Sequence, residues 1–189
     1  MSDPIASLTR REWWVWICSL VVIVMANILP GDFDLLTLIA SCIGVTSLVF
    51  AAKGNVWSQI LMIIFSILYG IISWQFRYWG EMITYLGMTM PMAIWSTITW
   101  IQNPAEGGKV VEIQKLTKKH ILLLVVSGII VTAVFYMILA ALKTPNIIFS
   151  TMSVTTSFFA ASMTMLRSSY YAVGYALSLI HITEPTRRS

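Results

Sequence analysis

Charge is what this chain lacks. Only 11% of its 189 residues are Asp, Glu, Lys or Arg, against 58% hydrophobic, and the mean hydropathy is +0.81. A soluble domain carries about 25% charge, so the whole chain is read as integral to a membrane. No Asp, Glu, Lys or Arg lies near the middle of any apolar run. That removes the intramembrane charges on which ion-coupled carriers, proton pumps and intramembrane hydrolases rely. Histidine is nearly absent too, with His120 at a run's edge and His181 near the C-terminus. No Ser-His, Cys-His, HExxH or paired-carboxylate arrangement can be drawn, so no enzyme and no metal site is expected. The two cysteines, Cys18 and Cys42, both sit inside apolar runs and imply no disulfide framework. The net charge of +4 is scattered over short loops, which argues against a nucleic-acid partner. The first apolar run is too long for a signal peptide and lacks a small-residue cleavage site.

What the chain does have is a series of runs long enough to cross a bilayer, which takes about 20 residues. Spans are expected over residues 13–29, 35–52, 56–76, 82–101, 120–142 and 146–166, with a seventh, over 170–182, too short to cross. Pro30-Gly31-Asp32, Lys53-Gly54-Asn55, Lys143-Thr144-Pro145 and Arg167-Ser168-Ser169 read as breaks. With the N-terminus inside, the inner segments hold Arg10, Arg11, Lys53, Lys109, Lys115, Lys118, Lys119 and Arg167. The outer ones hold only Arg77 and Lys143. This asymmetry predicts a multi-pass membrane protein with a cytoplasmic N-terminus. Trp13, Trp14 and Trp16 fit an interfacial aromatic belt.

A shift of 114 residues sets Lys53 on Arg167, Asp32 on Asn146, Thr37 on Thr151, Ser41 on Thr155 and Trp57 on Tyr171. The expected fold is therefore all-α: two three-helix units in parallel repeat around a linking helix, span 5. Residues 1–176 are expected to form one transmembrane domain whose second unit is incomplete.

The candidate site is built from uncharged polarity and aromatic surface. In span 4, Tyr85, Met88, Met92 and Trp95 recur at helical spacing, with Thr89 beside them. A flat ring would stack there, and a cationic ring would gain roughly 0.5–2 kcal/mol from cation–π attraction. In span 3, Gln59, Ser66, Tyr69 and Ser73 share one stripe, and in span 6 Thr151 and Thr155 do. The competing reading for each is packing between helices, or hydroxyl bonding to the helix's own backbone. Pro91 removes a backbone donor in mid-span and predicts a kink. The remaining function classes are a small-molecule carrier and a non-transporting membrane scaffold.

The ordered set Lys53-Gly54, Ile67-Leu68-Tyr69, Trp79-Gly80-Glu81, Pro91-Met92 and Trp100, with the later 166–176 LRSSYYAVGYA, resembles the PnuC family of nicotinamide riboside transporters. The resemblance implies facilitated diffusion of nicotinamide riboside for NAD biosynthesis, a SWEET-like fold and a homotrimer in the lipid bilayer, with no cofactor. It also implies departures. Some relatives carry Asn where this chain has Phe65 and Tyr85, so their polar contacts do not transfer. The string LSLIHITEPTRRS departs from the family altogether and resembles translated adapter read-through. Residues 177–189 are therefore expected to be non-native. A carrier of another vitamin, thiamine-like or nucleoside-like, is the alternative substrate reading.

Overall fold

The structure, a computed structural model, describes residues 5, 8–29, 33–105, 110–143 and 147–168. The partial seventh span and the suspected tail lie outside the described residues. Each apolar run becomes a helix because its backbone groups, with no water to bond, satisfy one another along the chain. The helices are α1 Arg10–Ile28, α2 Leu35–Ala52, α3 Trp57–Gln75, α4 Trp79–Ile83, a π-helical stretch Thr84–Thr89, α5 Met90–Gln102, α6 Lys118–Ala141 and α7 Ile147–Met165. Four of them, α1, α2, α3 and α6, are individually long and apolar enough to cross a membrane.

Polar residues placed at the ends stop and start these helices. Thr9 and Glu12 close a reciprocal capping box on α1. Asp34 caps α2 by accepting from the Leu36 N–H at 3.0 Å, and its other oxygen accepts from the Thr37 hydroxyl. Thr117 accepts from the His120 N–H to open α6. Three helices end in the same two-bond cap. In α2, the N–H groups of Gly54 and Asn55 donate to the Ala51 and Phe50 carbonyls. In α3, those of Arg77 and Tyr78 donate to Trp74 and Ser73. In α7, those of Arg167 and Ser168 donate to Thr164 and Met163. The cap residue is left-handed each time, with φ of 64°, 59° and 53°. Glycine takes that conformation freely at position 54, and a Cβ there would also meet Val111 at 3.3 Å.

The fourth crossing departs from expectation at both its start and its middle. It begins at Trp79 rather than Met82, so the elbow after α3 is shorter than read. Between Thr84 and Thr89 the chain adopts a π register, with the Met90 N–H donating to the Tyr85 carbonyl. Pro91 accounts for the location: in an α register its ring would press on the Gly87 carbonyl, and the widened turn relieves that contact. The predicted disturbance takes the form of a widened turn just upstream of the proline.

α3 packs between α2 and the α4–π–α5 crossing, while α7 packs on α6, on α5 and on the π turn. Small side chains line the seams, with Ser47, Ser58, Ser66, Ser73 and Ser96 all buried. On the other side, Met88 joins Phe135, Leu139, Val154 and Phe158 in an apolar core, flanked by Ile83 and Met92.

Candidate functional site

Two of the three aromatic side chains predicted for the site meet across α3 and the π turn. Tyr69 and Tyr85 have ring centroids 4.4 Å apart at an interplanar angle of 50°. Phe65 completes a triangle, 5.5 Å from Tyr69 and edge-on to Tyr85 at 5.6 Å. Two features bring these rings together. Gly70 lets α3 approach so closely that a Cβ there would lie 2.7 Å from Leu86. The extra residue of the π turn rotates the following side chains by about 100°. Tyr85 thus faces α3 while Met88 faces α6 and α7. Glu81 stands one helical turn before Tyr85.

The other predicted residues distribute elsewhere. Gln59 is 2% exposed and donates from Nε2 to the Ser58 hydroxyl at 3.1 Å, within the α2–α3 seam. Ten residues of helix, about 15 Å of rise, separate it from Tyr69. Ser66 is buried in the same seam and donates to the Met62 carbonyl. Met88 and Met92 belong to the apolar core against α6 and α7. Thr89 donates to the Thr84 carbonyl at 3.3 Å, across the π turn. Thr151 donates to the Ile147 carbonyl, and Thr155 to the Thr151 carbonyl, while also meeting the Thr132 hydroxyl at 2.9 Å. Trp95 is 59% exposed and points out of the helix packing, so it does not join the rings. The structure adds Phe65, which the sequence reading left out of the site.

On the opposite side of the bundle, residues 110–117 lie across two helix caps. The Val111 N–H donates to the Gly54 carbonyl at 2.9 Å, and the Gln114 N–H to the Arg167 carbonyl at 3.0 Å. Arg167 reaches back to the Glu112 carbonyl and the Gln114 side chain. A cavity of about 120 Å³ lies here, lined by Lys53, Gly54, Val111 and Arg167 among others. Lys53 pairs with Glu12 at 2.8 Å. That contact, with the Thr9 hydrogen bonds, holds the Glu12 carboxyl down at about 2. Among the described residues no three His, Cys, Asp or Glu side chains are placed to hold a metal ion.

The family model described as nicotinamide mononucleotide transporter matches residues 34–174. No curated protein matches the chain. A solved structure, the crystal structure of the vitamin B3 transporter PnuC, is similar in fold, with a TM-score of 0.78 at 22% identity. The match covers 93% of this chain and 76% of that one. Family and structural neighbour are both transporters, not enzymes.

Proposed function

The chain belongs to the nicotinamide mononucleotide transporter family, and on that premise we propose that it is a facilitative carrier of nicotinamide riboside. The observation that carries this reading is a ring cluster set in crossings without internal cations. A mononucleotide brings a phosphate, which calls for Arg or Lys partners. In the described helices those residues stand only at helix ends, as Arg10, Arg11, Lys118 and Lys119 do. A riboside brings a flat pyridinium ring and hydroxyls. Tyr69 and Tyr85 offer the ring two aromatic faces, and cation–π attraction contributes about 0.5–2 kcal/mol. Thr89, Thr151, Thr155 and Gln59 supply hydroxyl and amide groups along the rest of the proposed path.

The proposed mechanism is alternating access. Two three-helix units rock about a midplane site around the linking helix α6, and no ion is coupled, since among the described residues no charged side chain is buried. The protein sits in a bacterial inner membrane with its N-terminus cytoplasmic, as a homotrimer, and supplies nicotinamide riboside for NAD biosynthesis. The test is uptake of labelled nicotinamide riboside into liposomes holding the purified chain. Saturable uptake, unaffected by a protonophore or a sodium ionophore, is expected. No saturable uptake, or its loss with an ionophore, refutes the reading. Stronger competition by the mononucleotide than by the riboside refutes the choice of substrate.

A further inference from the structure

Trp100 is the largest wholly buried side chain among the described residues, at 1% exposed. A tryptophan at a span's end is ordinarily an interfacial anchor with one edge among the headgroups. Trp100 has no such edge. Its indole N–H donates to the Thr164 carbonyl of α7 at 2.9 Å, across 64 residues of sequence. The Thr99 hydroxyl, one residue before it, reaches the next carbonyl, that of Met165, at 3.4 Å. The last turn of α5 is thus fastened to the last turn of α7.

Packing alone does not call for this bond, because a phenylalanine fills such a space without a polar atom. Capping does not call for it either. The last carbonyls of a helix lack partners within it, but the Thr164 carbonyl already accepts from the Arg167 N–H at 3.0 Å. What the indole adds is a tie between two helices that the chain joins only through residues 103–146. The tie stands at the end of the bundle where the Gln114 N–H also holds Arg167. On the alternating-access reading α5 belongs to the first unit, α7 to the second, and this end faces the cytoplasm. Opening on that side has to part the last turns of α5 and α7. An indole released into a water-filled opening bonds to water, so only the net worth of a hydrogen bond is lost. A contact of that size holds a state without freezing it.

We infer that Trp100 is the latch of the inner gate, closed in this structure and released each time the carrier opens to the cytoplasm. The assignment rests on the alternating-access reading and names a contact that has to break in it.

The test follows the gate through a buried neighbour. Ser96 lies one helical turn before Trp100 and is 1% exposed. Ser96→Cys is introduced into the full chain together with Cys18→Ala and Cys42→Ala, and the thiol is labelled in detergent with a sulfonated maleimide. Trp100→Phe keeps a ring and removes the donor. It is expected to raise the labelling rate about two- to tenfold, the population shift of one net hydrogen bond. Thr99→Val keeps the side-chain shape, removes only the longer companion bond, and should raise the rate about twofold. Trp16→Phe is the matched control. It removes an indole bond of the same kind, 3.1 Å to the Thr46 hydroxyl, between α1 and α2, and should leave labelling unchanged. No rise with Trp100→Phe or Thr99→Val, or an equal rise with Trp16→Phe, overturns the latch, while saturable riboside uptake by the unaltered chain leaves the carrier reading standing. Absence of uptake by the unaltered chain overturns both.

Discussion

Replacing Gly70 with alanine tests the packing that creates the ring cluster. The added Cβ would lie 2.7 Å from both Cγ and Cδ2 of Leu86, and 2.9 Å from Cδ1. Rotation about χ2 moves only the two methyls and leaves Cγ in place, so it cannot clear the overlap. Either Leu86 changes χ1 or α3 and the π turn separate by nearly 1 Å to reach an ordinary contact. Overpacking of this kind costs about 1–3 kcal/mol. For a chain of this size that corresponds to a fall in Tm of about 2–12 °C. Tyr69 and Tyr85 are the immediate neighbours of Gly70 and Leu86, so the same separation parts the rings. Riboside affinity should fall with stability. The assay is thermal unfolding in detergent, paired with binding at a temperature where the variant is fully folded. A second substitution isolates the cause. Leu86→Ala destabilises alone by opening space, but combined with Gly70→Ala it should cost less than the sum of the two. A favourable coupling above about 0.5 kcal/mol is expected of groups in direct conflict. Gly70→Ala with an unchanged Tm, or the same penalty with and without Leu86, refutes the close-approach argument.

Tyr85→Ala should raise the KM for riboside several-fold, since it removes both ring contacts of that residue, whereas Trp95→Leu should leave KM unchanged. Uptake kinetics on the two variants decide whether the outward placement of Trp95 is the functional one. Pro91→Ala restores the N–H that an α register needs, so the π turn should relax and uptake slow without loss of Tm. An unchanged uptake rate would deny the π turn a role. The Glu12 carboxyl is held below its ordinary range, so the tie to Lys53 is fully present above pH 4.5 and is lost as the pH falls toward about 2. Hydrogen exchange in α1 should rise over that window, and Glu12→Gln should abolish the step.

Much of the fold was legible because bilayer thickness and helix rise leave few choices. The observed helices begin and end within a few residues of the apolar runs, and the caps at Asp34, Gly54 and Thr117 carry local signals. The register of the fourth crossing was less legible. Pro91 marks a disturbance but does not say whether the chain will bend or insert an extra residue. That choice decides which way Tyr85 and Met88 face. At fixed helical spacing Tyr85, Met88, Met92 and Trp95 fall on one stripe. In the structure they point to α3, to the α6–α7 core and to the outside. Gln59, Ser66 and Ser73 do lie on one stripe of α3, as read. What they meet depends on α2 and α5, which no pattern within α3 encodes. Phe65 joins the rings through the same close approach of α3 to the π turn, which nothing in its own apolar run signals.

The loop after α5 brings the two halves of the chain into one physical problem. Matching side-chain types pairs Lys53 with Arg167, but the caps pair Gly54 with Arg167, one residue out of step with that match. Both are left-handed, both follow a helix's last turn, and both offer their carbonyl to the same loop. The Val111 and Gln114 N–H groups that bond them are three residues apart, a span of at most about 11 Å. The ends of α2 and α7 are therefore held at a separation set by a short piece of backbone. If the halves rock as proposed, that separation has to change on this side. One of the two bonds then has to open, or the loop has to travel with one half. The two bonds differ in reinforcement. Arg167 adds its guanidinium contacts to Glu112 and Gln114, whereas Gly54 adds no side chain and relies on Val111 seated beside it. On that physical ground the loop travels with α7, and the Val111–Gly54 contact is the one that opens.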